Sequence, residues 1–573
     1  MAIEIGTLDR SVENIRAYTI ENMRTWAEET GKTDRPRVLL TSVFGPFARD
    51  DEFGSRKINP MELYHNQVTR AQGAFSPRRF HHSWGLNMIQ TNISAPSTLL
   101  DFPTREIFEK ELSTHHYDIV GISSIIVNVG KVREMCSMVR RVSPNSKIIV
   151  GGHVAAIPGL ERMIDSDHIV KGEGISWLRK YLGEDVSAPI VHPPFMKTGF
   201  NLRFMGIPFP DSITRPGAVI IPSVGCPMGC NFCTTSAFFG GKGKSINFYK
   251  TGDELFRVMC DAESAQKVHE FSILDENFLL NRKLAMELLE CMKSNEKSWM
   301  LNLFSSANAI RQYSMEELVE LGVSTVWIGL ESPNSKYPKL EGSDTRKMVR
   351  ELQEHGIKVL GSTIIGMEHH APENIVEEIE YAVAHETDFH QFMLYTPVPG
   401  TPLYADMEKQ NRLLKNVDLA DIHGQYKFNF QHPAISRDDS KSILDWAFQR
   451  DFERNGPSIY RITRTNLKGW KRYKEHPDRR IRERFRLEEL PLKIFYSASI
   501  WAMEHMYKNR DKTVSEPIRA LRLEIEKEFG LSACIMNRLF GPILQVTAKK
   551  EERRLARGVT YEPPTFIERR NWK

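Results

Sequence analysis

Val224-Gly225-Cys226-Pro227-Met228-Gly229-Cys230-Asn231-Phe232-Cys233 is the stretch that decides how this chain is read. Its three thiols stand in a Cys-x-x-x-Cys-x-x-Cys spacing, between an extended run at 218–223 and a small-residue segment closing on Phe238-Phe239-Gly240-Gly241. Spacings of three and two let one tight loop wrap three sulfurs around a compact metal centre. Iron–sulfur clusters are held by Cys thiolates, usually four. A cubic 4Fe–4S cluster gripped by only three leaves one iron open to another ligand. Structural zinc wants four closed ligands; Cys260 lies far downstream, so a zinc site would need a donor such as His269. Three inert buried thiols remain an alternative, one that a loop with two glycines and a proline does not suggest.

At 573 residues the chain exceeds one ordinary core and implies three or four domains. A net charge of +4 is small for that length and gives no argument for nucleic acid. Residues 1–9 are polar, without the apolar run of a secretory signal. No segment approaches the ~18 apolar residues that span a bilayer, so at most peripheral membrane contact is expected. Seven cysteines with three in one loop fit a reducing interior, so the expected location is cytoplasmic.

Working outward from the loop, 218–405 alternates short β-branched runs with helical stretches, as six parallel βα units of a partial TIM-like barrel do. Polar residues recur where its strands end: Asp275-Glu276, Ser305-Ser306, Glu331, Gly366 after Ile364, and Pro397. One strand-end carboxylate is usually a helix cap; recurrence after successive strands points to a shared rim. Upstream, 37–186 has the same texture, with strands expected at 38–43, 88–93, 118–124, 147–150 and 168–170, as in a doubly wound, Rossmann-like sheet. Ligands of such sheets sit at the carboxyl ends of the strands, here Ser42, Phe44, Ser123, Ser124, Gly151-Gly152-His153 and Gly172-Glu173. Residues 1–36 read as a helical extension, 187–217 as a Pro- and Phe-rich linker, and 406–573 as a mainly helical domain with an extended tail. Within that domain, 461–486 is densely basic with interleaved aromatics, either a solvated face or a phosphate- or membrane-facing surface. Cys136, Cys260, Cys291 and Cys534 fall in helical stretches and read as buried apolar residues.

The loop, down to Phe232 before the third Cys, resembles the signature of the radical S-adenosylmethionine (SAM) enzymes. The resemblance implies that Cys226, Cys230 and Cys233 hold a 4Fe–4S cluster whose open iron is chelated by SAM. One electron then splits SAM into methionine and a 5′-deoxyadenosyl radical, and an electron donor of flavodoxin or ferredoxin type is implied. It also implies a (βα)6 core in which Phe232, Ile364, Gly366 and Pro397 lie by the adenine, Asp275 and Glu276 by the methionine ammonium, Ser305 and Ser306 by the carboxylate or ribose, and Glu331 by the ribose. Ser362 stands where the family's adenine motif has its first glycine, so that match is partial.

Region 37–186 resembles the cobalamin-binding domain of one branch of that family, through Val-Gly-Ile-Ser-Ser at 120–124, Gly-Gly-His at 151–153 and Lys-Gly-Glu-Gly at 171–174. The Asp-x-His-x-x-Gly motif whose His binds cobalt in other cobalamin proteins is absent, which leaves the lower axial position unassigned. A Rossmann-like domain that only buttresses the core is the alternative. The branch implies methyl transfer to an unactivated carbon of a hydrophobic or natural-product substrate, a small molecule or lipid. Its alternatives are radical cyclisation, rearrangement or C–C coupling on the same fold, and a non-catalytic cobalamin- or SAM-binding protein. Arg49, His153 and Tyr395 are expected wall residues, and the absence of a second Cys motif argues against the methylthiotransferases.

Overall fold

The computed structural model describes residues 23–47, 51–53, 64–211, 216–330, 344–508 and 512–572. The expected helix at 12–30 therefore lies largely outside the described residues, as do Arg49 and Glu331.

The N-terminal part carries β1 (Val38–Thr41), β2 (Arg78–Phe80), β3 (Ser97–Asp101), β4 (Ile119–Ser123), β5 (Lys147–Gly151) and β6 (His168–Ile169). All but β2 form one parallel sheet in the order β3-β1-β4-β5-β6. Helices Arg105–Thr114 and Val129–Val142 cover one face and Trp84–Thr91 and Gly174–Tyr181 the other, so β1 and β4 are buried on both faces. The strand expected at 88–93 is instead the end of helix Trp84–Thr91. Leu86 and Ile89 share one helical face against the sheet, Ile93 packs there just past the helix end, and Ala95-Pro96 breaks the chain before the real strand, β3. The stretch 187–217, expected to be a Pro- and Phe-rich linker, contains a hairpin, β7 (Phe200–Phe204) and β8 (Ile207–Phe209), which pairs with β2 as a three-stranded sheet. The Met205-Gly206 turn and the inward Phe200 and Phe204 carry it.

The central part holds β9 (Ala218–Ile220), the short antiparallel pair β10 (Ser223–Val224) and β11 (Ile246–Asn247), then β12 (Glu270–Ile273), β13 (Met300–Ser305), β14 (Val323–Gly329), β15 (Lys358–Ile365) and β16 (Phe389–Leu394). Six of these run parallel in the order β9-β12-β13-β14-β15-β16, an open (βα)6 barrel. Each inter-strand helix returns the chain to the same end, so every strand delivers its C-terminus to one rim.

Downstream the chain is helical, from Arg437–Asn455 to Leu531–Ala556. The basic stretch 461–486 is divided: Lys471, Arg472, Arg479 and Arg486 are exposed, as a solvated face requires, while Arg461, Arg480 and Arg484 are buried. Arg461 is fully buried, pairs with Asp451 at 2.6 Å and donates to the Gly456 and Thr387 carbonyls. Arg480 and Arg484 donate to the Glu320 and Val319 carbonyls at the end of helix Met315–Glu320. A cation at a helix C-terminus satisfies orphan carbonyls and the helix dipole together, so these arginines bolt the helical part to the barrel floor, away from the rim. The tail is helical to Ala556, and then β17 (Phe566–Arg570) pairs antiparallel with β3, becoming an edge of the N-terminal sheet. Of the scattered cysteines only Cys136 is fully buried; Cys260, Cys291 and Cys534 are half-buried. No helix among the described residues is long and apolar enough to cross a membrane.

Candidate active site

The three loop cysteines follow β10 and are each half-buried. The loop is pinned from several sides. Cys233 caps helix Thr234–Phe238, its Sγ accepting the Ser236 N–H at 3.5 Å, while the Ser236 hydroxyl donates to the Cys226 carbonyl at 2.8 Å. Leu403, just beyond β16, donates its N–H to the Asn231 carbonyl at 3.0 Å. Gly229 has φ +68°, and a Cβ there would stand 2.4 Å from Cβ of Lys242, so only glycine lets the loop fold back on itself. Burial, then the neighbouring Cys233, Cys230 and Glu276, push the Cys226 thiol up to about 11. Such thiols ionise when a metal takes the place of their protons.

The donor set fits a cluster better than one ion. Tetrahedral Zn–S bonds of ~2.3 Å put two sulfurs less than ~4 Å apart. Among the described residues, the group of three donors that converges within 4.8 Å is His369, His370 and Glu378, not the cysteines, whose sulfurs therefore stand wider. The histidine group is itself a poor ion site. His370 Nδ1 accepts the Gly366 N–H at 2.9 Å, and burial pushes the imidazole down to about 3. A neutral ring with its lone pair engaged there carries its proton on Nε2, which cannot ligate.

Around the rim, Asp275 follows β12 and accepts from the Ser223 hydroxyl at 2.5 Å and the Asn277 N–H at 2.8 Å. Burial raises its pKa. Glu276 keeps contact with solvent, yet the protein walls around it and then the Asp275 charge push it up to about 7. Two adjacent carboxylates under strain from desolvation and repulsion are a seat for a cation. Asn277, the next residue and absent from the sequence-derived set, is the hub below them. Its Nδ2 donates to Ser306 Oγ at 2.9 Å, Ser306 donates on to Asn308 at 2.6 Å, and Ser305 donates to Asn277 Oδ1 at 3.2 Å. The signal for it was position: a buried amide one residue past a strand-end acidic pair. Phe232 lies half-buried with its ring 6.5 Å from that of Tyr395. Ile364 and Gly366 end β15, and the Pro397 carbonyl, past β16, accepts from Asn429 at 2.7 Å. Cys226, Cys230, Cys233, Phe232, Asp275, Glu276, Ser305, Ile364, Gly366 and Pro397 thus belong to one end of the parallel strands.

Behind the cysteine loop lies an apolar cavity of about 240 Å³ between the N-terminal sheet and the barrel. Ser123, Gly151, Gly152, His153, Gly172 and Glu173 line it. Gly152 has φ +79° and would place a Cβ 2.5 Å from the Ser124 carbonyl oxygen, so the strand end is bare of side chains by necessity. Ser42, Phe44 and Ser124 lie outside the cavity: the Ser42 hydroxyl accepts the Phe102 N–H, Phe44 packs edge-on to Phe53 in the core, and Ser124 donates to Ile125. The Glu173 carboxylate is engaged in capping helix Gly174–Tyr181 through the Ile175 and Ser176 N–H groups. His153 is held below the usual imidazole range by burial, its Nδ1 has no hydrogen-bond partner, and its ring lies 4.8 Å from that of Phe238. The opposite wall is Val224, Phe238, Phe239 and Phe248, supplied by the barrel part. The aromatic pair beside the cysteine loop was their only mark in the sequence. A space below the ~300–1,000 Å³ that encloses a whole drug-sized ligand, apolar and holding one orphaned imidazole nitrogen, fits an arm of a corrinoid.

A model of the radical SAM superfamily matches residues 220–382, and a model of the B12 binding domain matches residues 75–181. An uncharacterized methyltransferase of Pyrococcus horikoshii is 24% identical over 330 residues, 52% of this chain and 71% of its own length. A bacteriochlorophyllide d C-12(1)-methyltransferase of Chlorobaculum tepidum is 25% identical over 332 residues, 55% of this chain and 71% of its own. Among solved structures, a radical S-adenosylmethionine methyltransferase of Kitasatospora setae, with cobalamin and a 4Fe–4S cluster bound, aligns at TM-score 0.50 and 17% identity over 78% of this chain and 100% of that one. At that identity the likeness speaks for the fold.

Proposed function

The chain belongs to the radical SAM superfamily, in the branch that carries a B12 binding domain, and on that premise we propose that it methylates an unactivated carbon of a hydrophobic small molecule or natural-product intermediate. Its cofactors are a 4Fe–4S cluster, SAM and cobalamin. When bound, they supply the electron that breaks SAM into a carbon radical and the carrier for the methyl group. Cys226, Cys230 and Cys233 would hold the cluster. Asp275 and Glu276 would take the methionine ammonium, whose charge lowers both carboxyl pKa values back toward the ionised form. The Asn277 network would keep Ser305 and Ser306 aimed, while Phe232, Ile364, Gly366 and Pro397 frame the adenine. Ser123, Gly151, Gly152, His153 and Gly172 would receive the corrinoid arm. Reduction would come from a flavodoxin- or ferredoxin-type donor in a cytoplasmic setting.

The observation that carries this reading is a shared wall. Helix Thr234–Phe238, capped by Cys233, also presents Phe238 to the cavity, so one short element divides the thiol loop from the N-terminal strand ends. The apolar substrate class is supported by the tetrapyrrole in the name of the Chlorobaculum relative. Anaerobic protein loaded with iron and corrin, given methyl-labelled SAM and extracts of candidate lipids and pigments, tests it. The expected result is 5′-deoxyadenosine together with labelled product. Formation of 5′-deoxyadenosine with an unlabelled, rearranged product sinks methyl transfer; no 5′-deoxyadenosine at all sinks the enzyme.

A further inference from the structure

The longest helix among the described residues, Leu531–Ala556, turns one face into the protein and leaves an apolar one outside. Ala533, Asn537, Gly541, Leu544 and Ala548 are buried. On the outer face Leu531, Ile535, Leu539, Ile543 and Val546 repeat at four- and three-residue steps and are each 49–80% exposed. At 1.5 Å per residue this is an aliphatic stripe ~22 Å long, of the size that marks an interaction surface and not a scatter of single residues. Arg538 stands exposed beside it, and Lys549, Lys550 and Arg553 continue the same face, all exposed. No exposed carboxylate lies between Leu531 and Arg553; Glu551 is buried against Arg78 and Arg554, and Glu552 is half-buried.

We propose that this face seats the protein on an anionic bilayer surface, with the stripe at the acyl boundary and the basic end on lipid phosphates. Charge selects this occupant. Aliphatic residues rimmed by Lys and Arg, with acids excluded, are the pattern of a helix lying in the membrane interface, and the anionic leaflet attracts each such cation. A second copy is the weaker fit, because the face of a single helix, even with the neighbouring exposed Phe540, falls short of the ~800 Å² per partner of a stable interface and a symmetric pair would gain no acid for its basic ends. The helix lies on the bilayer and does not span it. This inference is independent of which reaction the site performs.

The test is flotation of full-length protein, loaded with iron and corrin, on vesicles of phosphatidylcholine with ~30% phosphatidylglycerol and on phosphatidylcholine alone. At least ~10-fold more protein is expected on the anionic vesicles, falling as salt is raised. Leu539→Glu with Ile543→Glu is expected to lose ~10-fold of the binding while keeping its circular dichroism and 5′-deoxyadenosine formation. Lys549→Glu with Lys550→Glu is expected to lose the preference for anionic lipid. Failure of the wild type to float with anionic vesicles overturns the proposal, as does undiminished flotation of the Leu539→Glu, Ile543→Glu variant. A dimer in light scattering that this variant dissociates gives the face to a second copy and overturns it too.

Discussion

The rim of the barrel and the cavity behind it are built from opposite materials. The rim concentrates polar groups: an acidic pair under desolvation, three thiols, and an amide relaying hydrogen bonds between two serines. The cavity is made by leaving side chains out, with glycines at the ends of β5 and β6 and aliphatic and aromatic walls. On the proposed function, a small zwitterionic sulfonium would be recognised by placed charges and a bulky corrinoid arm by room. The first kind of site fails when a charge is removed and the second when volume is added.

Four experiments press on that contrast. Cys230→Ala should cost most: loss of cluster iron and of 5′-deoxyadenosine by more than ~100-fold, since outer partners of metal ligands alone are worth ~10–100-fold. Gly151→Leu should abolish corrin retention on gel filtration, by at least ~10-fold in affinity, with iron content unchanged. The added Cβ itself meets nothing closer than the Val170 carbonyl at 3.9 Å, so the backbone accepts a side chain at this cavity-lining position. Glu276→Gln should weaken SAM binding ~10-fold by calorimetry, with wild-type affinity rising as pH passes about 7 and the variant's staying flat. The same carboxyl has the opposite effect on folding. Its pKa is raised in the folded state, so the unfolded chain deprotonates first and wild-type stability falls as pH climbs from the usual Glu range to about 7. The ligand-free variant should therefore melt slightly higher than wild type at pH 8, a gap that closes by about pH 5. His153→Ala should have the smallest effect, ~5-fold in corrin affinity if its unpaired Nδ1 accepts one neutral hydrogen bond. A change in the visible spectrum of the bound corrin would instead mean that the imidazole touches cobalt.

The rim was legible because its chemistry is local: three cysteines on one loop, and acids or serines where β12 and β13 end. The cavity was legible only on one side. Gly151-Gly152-His153 could be read as a bare strand end, but nothing in the order of residues says that Phe239 and Phe248 close the far wall, because that pairing is made between parts of the chain. Ser42 and Phe44 fall outside the cavity for a related reason. They end a strand, but Ser42 is engaged by Phe102 and Phe44 by core packing. The end of helix Trp84–Thr91 reads as a strand at 88–93 because the adjacent apolar pair Met88-Ile89 does not distinguish the periods. Arg480 and Arg484 read as part of a basic surface because the carbonyls they satisfy lie more than a hundred residues upstream.

The pairing of β17 with β3 sets an order of events in the living cell. Thr565 donates to the Phe102 carbonyl at 2.9 Å across 463 positions of sequence, and Arg569 reaches Glu111 at 2.7 Å. While the ribosome is still making the barrel, the vitamin-side sheet has an unpaired margin, the kind of template on which nascent chains stick to one another. Synthesis of residues 566–570 seals it, so the domain translated early is finished late, and a chain stalled before that point leaves the sheet open.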